Sequence, residues 1–368
     1  MSEGLCIDGR AVGAGRATFV IAELGVNHDG DARRAVELVS SAAACGADAI
    51  KLQLFRADRL LHPSASLAAY QRERTDASSP VEMLRQYELS DEAAAEVVAA
   101  ARELNVVPLA TPFSPEDVDL IEGLGLAAVK IASPDLVNRP LLARVARLGR
   151  PVLLSTGAAT MEEVQRSVGW LSAWGVSFAL MHCVSSYPTP PDMANLGWIA
   201  ELAARFHVPV GYSDHTTLTA AGALAVAFGA AVVEKHVTYD RSAAGPDHAA
   251  SADPQQFGRY VKLIREADKA RGRPRKCVLD CERDVRTVSR QSLVLRRALR
   301  PGESIGVDDL AAQRPGKGIS VAMAEDVVGR RALRPLPAGT MLQWDMLDES
   351  NSAEAEAAFE VEPYRNAA

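Results

Sequence analysis

The stretch FVIAELGVNHDG (19–30) decides the fold class. Its first half is a continuous apolar run, which reads as a strand buried on both faces. A polar turn follows and leads into ARRAVELVSSAAACG (32–46), whose apolar residues recur at helical spacing. A strand, a turn and a helix in that order open either a doubly wound sheet or a β/α barrel. The doubly wound sheet expects a G-x-G-x-x-G phosphate turn at this first crossing, and ELGVNHDG (23–30) has none.

Seven more strand-like runs follow: Ala49–Phe55 (AIKLQLF), Val106–Phe113 (VVPLATPF), Ala128–Ser133 (AVKIAS), Pro151–Gly157 (PVLLSTG), Phe178–Ser185 (FALMHCVS), Val208–Thr216 (VPVGYSDHT) and Ala231–Tyr239 (AVVEKHVTY). Stretches such as DEAAAEVVAAARELN (91–105) separate them, several ending in Gly or Asn as helices do. Eight β–α units over residues 17–271 match the size and order of a (β/α)8 TIM barrel, an α/β fold. Between the second and third runs, Arg56–Ser90 reads as a long excursion over the barrel mouth.

The barrel domain is taken as residues 1–275, with RGRPRK (271–276) as a hinge and 276–288 as a linker. RRALRP then occurs at Arg296–Pro301 and again at Arg330–Pro335, 34 residues apart. Each copy leads into a Gly- or Pro-containing turn and an apolar-acidic stretch, so 289–348 reads as a small, mostly β domain of two related halves. The tail, 349–368, is acidic and Ala-rich and is expected to be disordered.

Composition excludes several function classes. The 368 residues carry 40 basic and 47 acidic side chains, a formal charge of −7. A pI near 5.6 argues against a nucleic-acid-binding body. No apolar run reaches the ~18 residues of a membrane span, and no basic-then-apolar segment opens the chain. Five scattered cysteines point to free thiols and a cytoplasmic enzyme, and Cys277 with Cys281 is too little for a zinc site. The charge is uneven: residues 1–285 carry −6, 286–347 carry +4 and the tail −4, so a basic cap accompanies an acidic barrel.

In a barrel, chemistry gathers at the C-terminal strand ends. Here all eight ends are polar: Glu23; Lys51 and Gln53; Thr111; Lys130 and Ser133; Ser155 and Thr156; Ser185; Ser213, Asp214 and His215; Glu234 and His236. Residues two apart share a face, which pairs Lys51 with Gln53, Ser213 with His215 and Glu234 with His236. Burying Lys51 or Lys130 without a partner would cost several kcal/mol. A phosphate or carboxylate ligand would offset that cost; so would a closed network with Glu23, Glu234 or Asp214. His215 and His236 end neighbouring strands about 4.8 Å apart. With Asp214, Glu234, Asp247 and His248 nearby in sequence, they are candidate ligands for a divalent ion. His62 and His207 read as surface residues and His182 as structural.

The motifs AELGVNHDG (22–30), KLQ (51–53), TPFS (111–114), KIAS (130–133), LSTG (154–157), SSYPTP (185–190), YSDHT (212–216), EKH (234–236) and GPDH (245–248) resemble, in this order, those of the sialic acid synthases. That family includes legionaminate and pseudaminate synthases. QRPGKGIS (313–320) is similar to their C-terminal antifreeze-like (SAF) domain. The resemblance implies condensation of phosphoenolpyruvate with an N-acetylated hexosamine and water, releasing phosphate. N-acetylmannosamine, giving N-acetylneuraminate, is the first expected acceptor, and a di-N-acetylated 6-deoxyhexose is the alternative. It also implies that Lys51, Gln53, Thr111, Lys130, Ser133, Ser155, Ser185 and Ser213 bind phosphoenolpyruvate. Asp135, Tyr187, Asp247 and Arg314 would face the sugar, Glu23 would handle protons, and His215 and His236 would hold Mn²⁺, with Mg²⁺ or Co²⁺ as alternatives. Arg314 would reach a partner's site, making a domain-swapped homodimer. Ser185 stands where several members have Asn, and Ser133-Pro134-Asp135 where they have Ser-Gly-Glu. A Schiff-base aldolase using Lys51 or Lys130 and a non-catalytic saccharide-binding protein are the competing readings.

Overall fold

A computed structural model of the chain describes residues 4–66, 79–272 and 276–349. The expected tail disorder and the RTDASSP portion of the excursion up to residue 78 lie outside the described residues. The fold begins with a feature the sequence reading missed. Strands β1 (Leu5–Ile7) and β2 (Arg10–Val12) form an antiparallel hairpin around Asp8 and Gly9, both at positive φ. Leu5, Ile7 and Val12 are buried with Phe19, Ile21, Leu109, Leu153 and Met181 and plug one end of the barrel interior. Three-residue strands are too short to show a periodicity.

Eight parallel strands then close the barrel: β3 (Phe19–Gly25), β4 (Ala49–Leu54), β5 (Val107–Pro112), β6 (Val129–Ile131), β7 (Val152–Ser155), β8 (Phe178–His182), β9 (Val210–Asp214) and β10 (Val232–His236). They neighbour one another in chain order, and β10 returns to pair with β3. Alternation sorts the side chains. Val20, Ala22, Leu24, Ile50, Leu52, Leu154 and Val233 face outward and pack against helix residues such as Leu38, Val97 and Ile264. The intervening residues face the barrel axis.

Helix starts follow local chemistry. Asp31 caps Ala32–Ala44 by accepting from Arg33 and Arg34 N–H, and Thr160 with Glu163 forms a capping box before Met161–Ala173. In the described part of the excursion, Met83 and Tyr87 pack with Val26 and Phe55 in a small separate apolar cluster.

Contacts divide the chain into two units, Met1–Arg273 and Pro274–Ala368. Residues 276–288, read as a bare linker, contain the 3-10 turn Asp280–Glu282 and most of the helix Arg283–Ser289. Beyond it, β11 (Ser292–Leu295) pairs antiparallel with β12 (Leu310–Gln313). The expected two-fold repeat exists, but not in the register that RRALRP suggests. Leu299 N–H donates to the Leu336 carbonyl at 2.8 Å, and Leu336 N–H returns the bond at 2.9 Å. The left-handed glycines Gly302 and Gly339, and the 3-10 turns Val307–Asp309 and Trp344–Met346, are related by the same step. Leu299 therefore corresponds to Leu336, three residues beyond Leu333, its partner in the RRALRP match. Leu299 and Leu336 are buried, whereas Leu333 is 59% exposed. Backbone pairing and burial, not residue identity, set the repeat.

Candidate functional site

The barrel interior changes character along its length. Next to the hairpin, Ile21, Ala49, Leu109, Ala128, Leu153 and Val232 form an apolar layer. One step further along the same strand face come Glu23, Lys51, Thr111, Lys130, Ser155 and Glu234, all buried. A cleft of about 310 Å³ opens over this polar layer. All eight residues assigned by resemblance to phosphoenolpyruvate, Lys51, Gln53, Thr111, Lys130, Ser133, Ser155, Ser185 and Ser213, line it together with Tyr187, His215 and His236.

The lysines are not left without partners. Lys51 Nζ lies 2.5 Å from Glu23 Oε2 and 3.9 Å from Glu234 Oε2, and donates to Thr111 Oγ1 at 3.1 Å. Lys130 Nζ donates to Glu234 Oε1 at 3.0 Å, and Ser213 Oγ donates to the same oxygen at 2.7 Å. Gln53 Nε2 donates to Glu23 Oε1 at 3.0 Å. The closed network is therefore what the fold builds, and mutual pairing offsets the cost of burial before any ligand arrives. Asp214, the third possible partner, faces outward and pairs with Lys235 instead, at 3.1 Å.

The two glutamates differ. Burial pushes the Glu23 carboxyl up, against the pull of Lys51. Burial acts on Glu234 as well, but Lys130 and Lys51 outweigh it and hold that carboxyl well below the usual range. Neighbouring carboxyls driven apart in this way suit a proton carrier beside a permanent anion.

His215 and His236 follow and end adjacent strands, with ring centroids 5.7 Å apart. Tyr187 packs on His215 at 4.2 Å. His215 Nδ1 lies 2.7 Å from the Val184 carbonyl, which assigns the proton to Nδ1 and leaves Nε2 as a lone pair. Burial brings His215 down to about 4 and His236 well below its ordinary value, so both imidazoles are neutral near neutral pH. His236 Nδ1 is buried without a hydrogen-bond partner. Gly25, at φ +55°, keeps space beside it: a Cβ there would approach that nitrogen to 3.1 Å and Asp247 Oδ2 to 3.4 Å. Two neutral imidazoles, one with an orphaned nitrogen, fit a divalent ion. Among the described residues no group of three His, Cys, Asp or Glu side chains could hold a metal. The protein would thus supply two ligands and leave the other positions to substrate or water.

Other assigned residues fall around this centre. Asp247 Oδ2 stands 3.7 Å from His236 Nδ1. Asp135 does not line the cleft; in the 3-10 turn Ser133–Val137 it accepts from Asn138 Nδ2 at 2.8 Å. Arg314 is exposed in the second unit. His248 bonds Thr238 and Asp29 and does not line the cleft. His62 and His207 are exposed, and His182 bonds the Ala194 carbonyl, as their surface and structural readings expected. Thr156 donates to the Met181 carbonyl and lines a neighbouring cavity of about 410 Å³.

Cys183 was missed. It lines the cleft, with its Sγ 3.1 Å from Ser133 Oγ, which in turn accepts Gly157 N–H at 3.0 Å. Alternation from Ala179 and Met181 marks it as inward-facing, a signal hidden by counting it only as a scattered thiol. Gly157 lets these groups converge: a Cβ there would meet Ser185 Oγ at 2.5 Å and both Cys183 Sγ and Ser133 Oγ at 2.8 Å.

Comparison with known proteins agrees with this architecture. The NeuB family model matches residues 38–276, and the SAF domain model matches 290–348. An N,N'-diacetyllegionaminic acid synthase of Legionella pneumophila is 38% identical, over 91% of this chain and 96% of its own. The N-acetylneuraminate-9-phosphate synthase of Mus musculus is 31% identical, over 83% of this chain and 85% of its own. The crystal structure of N-acetylneuraminic acid synthetase from Leptospira borgpetersenii, in complex with citrate, superposes with a TM-score of 0.71 at 30% identity, covering 77% of this chain and 95% of that one. With a family model matching most of its length and relatives similar almost end to end, this chain belongs to the NeuB family.

Proposed function

We propose that this protein is a nonulosonic acid synthase that condenses phosphoenolpyruvate with an N-acetylated hexosamine and water, releasing phosphate. The observation that carries the reading is the arrangement of two lysines, a ring of hydroxyls and two neutral histidines around one cleft. Lys51 and Lys130, with Thr111, Ser133, Ser155, Ser185, Ser213 and Gln53, suit the phosphate and carboxylate of phosphoenolpyruvate, because charge-assisted bonds to oxyanions are the strong ones. His215 and His236 would hold the divalent ion, Mn²⁺ before Mg²⁺ or Co²⁺. When bound it would supply Lewis acidity toward the sugar aldehyde.

In the reaction, the C3 π electrons of phosphoenolpyruvate form the bond to the aldehyde carbon, and the aldehyde oxygen gains a proton. Water adds at C2, and the C2–O bond to phosphate breaks to leave the ketone. Glu23, whose buried carboxyl is biased toward holding a proton, is the group we assign to proton transfer in these steps. Tyr187 and Asp247 flank the histidines on the side left for the sugar. Arg314 is assigned to a partner subunit's sugar site, and Asp135, which lies outside the cleft lining, is the assigned sugar residue with the least support from the geometry.

For the acceptor, we favour the di-N-acetylated 6-deoxyhexose of legionaminate synthesis, because the legionaminic acid synthase is more similar than the neuraminate-9-phosphate enzyme, 38% against 31%. N-acetylmannosamine is the second reading, because the YPTP and GPDH motifs resemble those of neuraminate and legionaminate synthases alike. The test is phosphate release from phosphoenolpyruvate with Mn²⁺ and a panel of both sugars, with and without chelator. Release that depends on both sugar and metal is expected. Chelator-insensitive turnover with a borohydride-trapped pyruvate adduct would favour the Schiff-base aldolase instead.

A further inference from the structure

Three consecutive strands deliver groups to one point in the cleft wall. Ser133 follows β6, Gly157 follows β7 and Cys183 follows β8. Cys183 is buried and lines both the cleft of about 310 Å³ and the neighbouring cavity of about 410 Å³. Its thiol is therefore the partition between the two. The far side of that partition carries Met161, Val164 and Leu202.

The hydrogen bonds at this point can be counted. A serine hydroxyl has one proton to give and two lone pairs to offer. Ser133 Oγ accepts Gly157 N–H at 3.0 Å, which occupies one lone pair. Its other hydrogen-bond neighbour among the described residues is Cys183 Sγ at 3.1 Å, a contact in which either atom can donate. If the serine donates to sulfur, its proton is spent and it keeps only a lone pair, which an oxyanion repels. If the thiol donates, both lone pairs are engaged and the serine proton is left for the cleft. Ionised carboxylate and phosphate oxygens only accept. An oxyanion in the cleft can therefore bond Ser133 in the second arrangement alone.

We propose that Cys183 is a positioning residue: its S–H donates to Ser133 Oγ and so leaves the Ser133 proton for an oxyanion in the cleft. No proton is transferred; the thiol fixes which way the hydroxyl donates. A thiol suits the place, because it behaves as a small hydrophobe toward the apolar side and still carries a weak donor. The inference rests on the cleft being an oxyanion site and not on the condensation.

Cys183→Val and Cys183→Thr give the partition the same shape, and of the two only threonine donates. Calorimetric titration of sulfate, an oxyanion without a proton of its own, into the full chain and both variants tests the proposal. Valine should weaken sulfate binding roughly fivefold, and threonine should hold it within about twofold of wild type. Equal affinities in the two variants overturn the proposal, and so does a wild type that binds no sulfate. If a variant does not fold, infrared spectroscopy decides, on a chain whose other cysteines, Cys6, Cys45, Cys277 and Cys281, are replaced by serine. With sulfate bound, the Cys183 S–H stretching band should lie below that of a thiol in an apolar solvent, and a band at the free-thiol position overturns the proposal. A protein that shows the valine–threonine difference but releases no phosphate from phosphoenolpyruvate would lose the proposed reaction and keep this inference.

Discussion

Strands β9 and β10 carry two acid–base arrangements on opposite faces, one residue apart in sequence. Inward, Glu234 accepts from both Ser213 and Lys130; outward, Asp214 meets Lys235. Both are buried and both pair a lysine with a carboxylate. The difference lies in what surrounds them. The inward pair has a second lysine and glutamate, hydroxyls from several strands and a cleft of about 310 Å³ above it. The outward pair is closed by Tyr212, Tyr260 and the Thr216 carbonyl, with a pocket of only about 20 Å³ beside it. Buried charge alone therefore does not mark a site; buried charge beside space and further donors does.

The sharpest way to break this contrast is to remove one lysine from each face. Lys235→Met strands Asp214 between two aromatic residues and should cost roughly 3–5 kcal/mol of barrel stability, read by denaturant unfolding, while the folded fraction still binds phosphoenolpyruvate. Lys130→Met should cost less stability, because Ser213 and Lys51 still face Glu234. Its kcat/KM for phosphoenolpyruvate should fall about 10²–10³-fold in a phosphate-release assay. If the two variants exchange phenotypes, the assignment of faces is wrong.

The same contrast between like residues in unlike places extends to the second unit. Leu299→Ala should destabilise it by about 2–4 kcal/mol, whereas Leu333→Ala should change its unfolding by less than about 0.5 kcal/mol. Equal losses would restore the RRALRP register. A further effect concerns Arg314. Arg314→Ala should raise the sugar KM roughly tenfold, more than that of phosphoenolpyruvate, and the reverse order would remove Arg314 from the sugar.

The barrel was legible because each strand buries both faces and so appears as an apolar run at regular spacing, from FVIAELG onward. Alternation also placed Lys51 with Gln53 and Glu234 with His236 on one face correctly. Three features stayed hidden, each for a physical reason. The β1–β2 hairpin is too short for periodicity, and its tertiary plugging role leaves no local mark. Whether the lysines meet carboxylates or an outside anion depends on distances across the barrel that strand alternation does not fix. The repeat register depends on backbone pairing between Leu299 and Leu336, which a six-residue identity misplaced by three positions.

The account rests on the inward layer being an oxyanion site for phosphoenolpyruvate. Calorimetric titration of phosphoenolpyruvate into the wild-type chain and into Lys130→Met tests this most directly. The account predicts one molecule bound per wild-type chain and an affinity weakened at least about tenfold in the variant. Equal affinity in the two proteins, or no binding to the wild type, would contradict it.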